Sequence, residues 1–188
     1  MSCTPEQKER VEEALYVCLR GLQAALAFRS ITETKHIGGH PFFNLASGAL
    51  SKDFVTEWTK LLGSRSEDSH WTKILPEDCH GDLRAGFDAD CDQRNWTDVH
   101  AEMIAYRNKY VVHLGDPDGP RPAKHPNFDA PINILKRLYC ELVDFYMKDC
   151  EGVKTGLVDP SSLSDEFWAN DQTKWCALLE KLRAASKT

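Results

Sequence analysis

The segment Tyr106-Arg107-Asn108-Lys109-Tyr110-Val111-Val112-His113-Leu114 holds the residue types best suited to chemistry in this chain. Histidine titrates near neutrality and can give or take a proton during a reaction. A guanidinium stays charged and grips two phosphate oxygens in one planar fork. Arg107 and His113 brought together could therefore clamp a phosphate and move a proton beside it without a metal. Asn108 could orient either group or hold a phosphate oxygen, while Tyr106, Lys109 and Tyr110 add contacts for a bound substrate. His70, next to Trp71, is a further candidate contact.

Each of these residues also has a plain structural reading. Arg107 could pair with Glu102 or Asp98, and His113 could sit at a helix C-terminus, where a cation is favoured. Trp71 could fill the core and leave His70 at a turn, the preferred reading of that pair. Geometry adds a constraint: six steps of about 100° put Arg107 and His113 roughly 120° apart on a regular helix. Either the helix ends or kinks before His113, or two subunits contribute to one site. Tyr106 shares the side of His113 and is expected to pack beneath its imidazole.

The elements that must position this segment read as helices. Thr4-Pro5-Glu6-Gln7 is a helix start, with Thr4 to cap and Pro5 at the first position. Val11, Leu15, Cys18, Leu19, Leu22 and Leu26 then recur every three or four residues, predicting a helix over about 5–29. A break spans Ile31 to Pro41. A second helix over about 42–62 carries Phe43, Leu50, Phe54, Val55, Trp58, Leu61 and Leu62, with Gly63 as its cap. Residues 64–95 lack sustained periodicity and read as loop with short helical turns around His70 to Leu75. A third helix starts near Trp96 and ends around His113, since the following Gly- and Pro-rich run cannot continue it. A fourth covers about 130–148, with Ile134, Leu135, Leu138, Leu142, Phe145 and Tyr146, and a last amphipathic piece about 171–185. No alternating strand pattern or internal repeat is visible. The predicted fold is all-α: one domain over 1–188, a bundle of four to five helices with long connecting loops.

At 188 residues, 41% hydrophobic and 28% charged, the chain can bury one core. The N-terminus shows no secretory or import pattern and no run approaches the roughly 18 apolar residues of a membrane helix, so a cytoplasmic protein with no membrane association is expected. On that footing the seven cysteines, scattered without CxxC spacing, read as reduced thiols. The net charge of −6 removes long-range attraction as a means of recruiting nucleic acid. The stretch from Arg107 to His125 is nonetheless locally positive, with Arg107, Lys109, Arg121 and Lys124 against Asp116 and Asp118.

Metal sites are poorly supported. Asp88, Asp90 and Asp92 occupy positions one, three and five of a calcium loop, but Gln93 stands where glycine is needed and Val99 where glutamate is needed. Cys79, His80, Cys91 and His100 match no zinc spacing. The expectation is no metal and no cofactor. Phosphate loops, dinucleotide fingerprints and nucleophile elbows are absent from the sequence.

The arrangement Arg107-Asn108 followed by His113 at a helix end resembles the signature of the HEPN superfamily. A second block, Glu57-Trp58-Thr59-Lys60-Leu61-Leu62-Gly63-Ser64 followed by Asp68-Ser69-His70-Trp71-Thr72-Lys73, looks like the abortive-infection AbiU-type branch; together the blocks cover roughly 40–115. The resemblance implies a dimerising helical bundle and, in active members, a metal-independent endoribonuclease that acts as a toxin or phage-defence effector. Arg107, Asn108 and His113 would be its catalytic residues, with RNA as substrate, a homodimer as the working form and an antitoxin protein as a possible partner. Cleavage would leave a 2′,3′-cyclic phosphate and a 5′-hydroxyl. The competing expectation is a non-catalytic helical module that binds RNA or a protein through the same cleft.

Overall fold

The computed structural model describes residues 3–33, 41–111 and 125–150. The elements are α1 (Pro5–Glu33), α2 (Pro41–Leu62), a single turn α3 (Trp71–Ile74), a 3-10 turn (Glu77–Cys79), α4 (His80–Ala89), α5 (Trp96–Tyr106), a π-helical turn (Arg107–Val111) and α6 (Asp129–Asp149). No strand occurs among the described residues, so the expected all-α class is observed. None of these helices is long and apolar enough to cross a membrane. The expected helix over 171–185 lies outside the described residues.

Helix α1 begins as its first residues dictate: the Thr4 hydroxyl accepts the Gln7 N–H at 3.2 Å. Its apolar positions Val11, Leu15, Cys18, Leu22 and Leu26 are all buried, and a second buried row of Ala14, Val17, Ala24 and Ala25 makes it the central helix. It packs mainly against α2 and also against α6. The three meet at Gly21, where an added Cβ would lie 3.0 Å from Leu135 Cδ2 and 3.3 Å from Glu57 Cβ. Only a residue without a side chain lets the helices approach this closely.

From α2, Phe54, Val55, Trp58, Leu61 and Leu62 fill the interior, and the Trp58 indole donates to the Pro131 carbonyl at 3.2 Å. That bond ties the C-terminal part of α2 to the first turn of α6, where a proline is tolerated because the helix needs no N–H donor there. Gly63 ends α2 as expected: its N–H bonds to Thr59 O at 3.0 Å, and a Cβ would collide with that carbonyl. Along the α1–α2 seam, the buried Glu57 carboxylate meets Lys60 at 2.8 Å and Arg20 at 3.7 Å, so its charge is not left alone in the core.

Two features depart from the sequence reading. Helix α4 lies inside a stretch expected to be loop. Only Leu83 and Phe87 are buried from it, and its two glycines argue against a helix, yet tertiary contacts hold it. Arg137 of α6 lies across Gly86 and forks onto Asp90 at 2.6 and 2.9 Å. The second departure is a disulfide, Cys3–Cys150, with Cα atoms 4.7 Å apart, where reduced thiols were expected. The bundle brings the start of α1 against the end of α6, a closeness across 147 positions that no local spacing reveals. Cys18, Cys79, Cys91 and Cys140 are free.

Candidate functional site

Helix α5 positions the chemical segment. Asn95 caps it by accepting the Asp98 N–H at 2.9 Å, and Val99 and Met103 anchor it in the core. Trp96 and His100 pack on Trp58 with ring centroids 5.7 and 6.0 Å away, fixing α5 against α2. The His100 Nε2 donates to Gly63 O at 3.1 Å. Regular α-winding stops at Tyr106, short of the expected end near His113, and Arg107–Val111 form one π-helical turn. A π turn widens the backbone and is frequent at functional sites. The 120° offset of a regular helix therefore does not carry across this segment. His113 lies outside the described residues, as do Arg121 and Lys124, so the distance from Arg107 to His113 is not defined.

The turn splits the candidate residues between two environments. Tyr106, Tyr110 and Val111 line a cleft of about 1140 Å³ whose other wall is the stretch of α2 from Pro41 to Thr56. Arg107 is half-buried and does not line the cleft; its Nε donates to Asn108 Oδ1 at 3.1 Å. Asn108 and Lys109 are exposed, and the Lys109 ammonium stands 5.2 Å from the centroid of the Tyr110 ring, at the edge of the cleft. The carboxylates proposed to neutralise Arg107 are otherwise engaged: Glu102 holds Arg94 at 2.8 Å and Asp98 bonds Asn95 at 2.9 Å. Neither Arg107 nor Lys109 pairs with a carboxylate among the described residues.

A residue the sequence reading left out of the site stands inside this cleft. His125 Nδ1 lies 2.6 Å from the Tyr106 hydroxyl, and its ring meets Phe28 edge-on at 5.2 Å. Tyr106 packs against the imidazole of His125, while the contact expected with His113 falls outside the described residues. Burial lowers the pKa of His125 below the ordinary histidine value. Burial raises the pKa of the Tyr106 hydroxyl above the ordinary tyrosine value. Ser51 is fully buried in α2 and donates to Gly48 O at 3.0 Å. His125 carried only a weak sequence signal, the His-Pro pair that closes the Gly- and Pro-rich run.

His70 is elsewhere. It is buried, caps α3 by accepting the Thr72 N–H at 3.3 Å, and does not line the Tyr106 cleft. Burial, helped by Arg65 and other nearby cations, lowers its pKa to about 4. Trp71 is in the core, as the plain reading of this pair held.

The acidic and cysteine-histidine residues serve the scaffold. Asp88 accepts the Trp96 N–H at 2.8 Å, Asp90 holds Arg137, and Asp92 takes the one left-handed backbone angle of a non-glycine among the described residues, φ 55°. His80 donates to Leu75 O at 2.9 Å, and the Cys91 thiol to Phe87 O at 3.0 Å. Among the described residues no group of three or more His, Cys, Asp or Glu side chains could hold a metal. No protein-family model, curated protein or solved structure matches the chain.

Proposed function

We propose that the chain is a metal-independent endoribonuclease of the HEPN kind, with Arg107 as phosphate clamp, Asn108 as its orienter and His113 as a proton-transfer group. The observation that carries this reading is the π-helical turn: it holds an Arg-Asn-Lys triplet, with both cations free of described carboxylates, on the backbone that also lines the tyrosine cleft. A guanidinium released from ion pairing is available to a phosphate, and Lys109 beside Tyr110 offers a second cation next to a stacking ring. Two copies in a homodimer would double these cations around one RNA strand, which offsets the unfavourable net charge of −6. The toxin or defence setting, with an antitoxin partner, follows from the same resemblance.

The acidic balance favours one other reading, a helical module that holds RNA or a protein in the cleft without cutting it. Incubation of the protein with labelled RNA in EDTA separates the two. Cleavage that falls about 100-fold or more in Arg107→Ala and in His113→Ala, leaving cyclic phosphate ends, supports the nuclease. Equal background in all three samples supports the module.

A further inference from the structure

Rings and cations meet in the cleft between α2 and the π turn. Tyr110, Tyr106 and His125 line it as touching rings, with centroids 5.1 Å apart in the first pair and 5.9 Å in the second. The series is braced at one end, where Tyr106 bonds His125 at 2.6 Å and His125 meets Phe28 edge-on at 5.2 Å. At the other end Tyr110 is only half-buried and keeps ring surface for a ligand. Two lysines flank it: the Lys109 ammonium lies 5.2 Å from the Tyr110 ring centroid, and Lys52 lines the α2 wall. Neither has a carboxylate partner among the described residues. Asp53 is the only carboxylate among the described lining residues, and Arg20 holds it at 3.2 Å. Burial disfavours the cation of His125, so near neutral pH the lysines set the charge of the cleft, which is positive in a chain of net charge −6.

We propose that this cleft holds an unpaired nucleotide, its base stacked on Tyr110 and its flanking phosphates against Lys109 and Lys52. The proposal rests on the reading of RNA as the ligand and adds the place where a base is held, with Lys52 as a second phosphate contact. A nucleotide carries a flat ring one sugar away from an anion, which is the pairing the cleft offers. An apolar peptide would leave the lysines unanswered, and a plain polyanion would leave the rings unused. Lys109 is exposed, so its ammonium is free to move from the ring to a phosphate as the base arrives. Stacking on a tyrosine tolerates any base, because every base has a π face, but a base paired in a duplex hides that face. The cleft therefore selects single strands over duplexes rather than one sequence. An unpaired position in an RNA strand and a free mononucleotide share this chemistry; the strand alone supplies a phosphate on each side of the base.

Fluorescence anisotropy of the full chain with a labelled single strand of 2′-deoxyribose residues tests the site apart from any cutting, since that strand has no 2′-hydroxyl to attack. Tyr110→Ala should weaken binding about 10-fold or more, and Tyr110→Trp should keep it. Lys52→Ala and Lys109→Ala should each flatten the fall of log affinity with log salt by about 0.7. On a strand of abasic residues with the same phosphates, binding should be weaker and Tyr110→Ala should change nothing further. Competition by uridine monophosphate, lost in Tyr110→Ala, would make the free nucleotide the source; displacement by the unlabelled strand alone would make it an RNA position. Binding by Tyr110→Ala equal to wild type, duplex bound as tightly as single strand, or the abasic strand bound as tightly as the intact one overturns the site, the last by reassigning it to polyanions at large, acidic peptides included. Tyr110-dependent binding in a protein that cuts no RNA leaves the site standing and removes the nuclease reading. Cutting with binding indifferent to Tyr110 does the reverse.

Discussion

Removing the Cys3–Cys150 bridge by a Cys3→Ser/Cys150→Ser double substitution should lower stability through the unfolded chain. Loop closure gives an entropy of about −2.1 − 1.5R ln n cal/mol/K, which for a separation of 147 residues is about 5 kcal/mol at 25 °C. The native ends stay in register without the bridge, because the Cys3 N–H also bonds to Asp149 O at 3.0 Å, so the cost falls on the denatured side. Measured values fall short of the full entropy when the unfolded chain retains structure, and a loss of about 3–5 kcal/mol is expected. With a urea slope of about 2 kcal/mol per molar, the midpoint should drop by about 2 M. Dithiothreitol should move the wild type to the variant's midpoint and leave the variant unchanged. Identical midpoints for oxidised wild type and variant, or titration of all seven thiols in unfolded, unreduced protein, would refute the reasoning.

His70→Asn keeps the acceptor that caps α3 and removes a group whose folded pKa, about 4, lies below its unfolded value of about 6.5. Its contribution is complete above pH 6.5 and is lost as the pH falls toward 4, worth about 3 kcal/mol in all; wild type should lose more stability than the variant between pH 7 and 4.5, read from urea midpoints. Tyr146 donates to Glu12 at 2.6 Å, which together with burial pushes its pKa to about 12. Tyr146→Phe should cost about 1.5–3 kcal/mol at pH 8 in chemical denaturation. That contribution is present below pH 10 and fades as the pH rises through 12, so the two proteins should converge in strong alkali.

Helices with one dense apolar face were legible. The Phe54-to-Leu62 cluster is buried, as are the Val11-to-Leu26 row and the Ile134-to-Tyr146 stripe apart from the partly buried Leu19 and Phe145, and the observed ends of α1, α2 and α6 fall within a few residues of the expected ones. Helix α4 was not, because Leu83 and Phe87 alone give too weak a period; its stability comes from Asp90 and Arg137, 47 positions apart. The Tyr106–Tyr110 part of the site was legible as residue types at a helix end. The π turn was not, since its winding is set by packing and carries no composition of its own. His125 was missed for a related reason: 19 residues separate it from Tyr106, and only the fold of the chain across the cleft makes them neighbours.

The most direct measurement is single-turnover incubation, in EDTA, of the wild-type protein with one RNA strand and with the same strand carrying 2′-deoxyribose at every position. A site that clamps phosphate with Arg107 and uses the 2′-hydroxyl as nucleophile should cut the first into fragments with cyclic phosphate ends and leave the second whole. Cutting of both strands, or of neither, would contradict it.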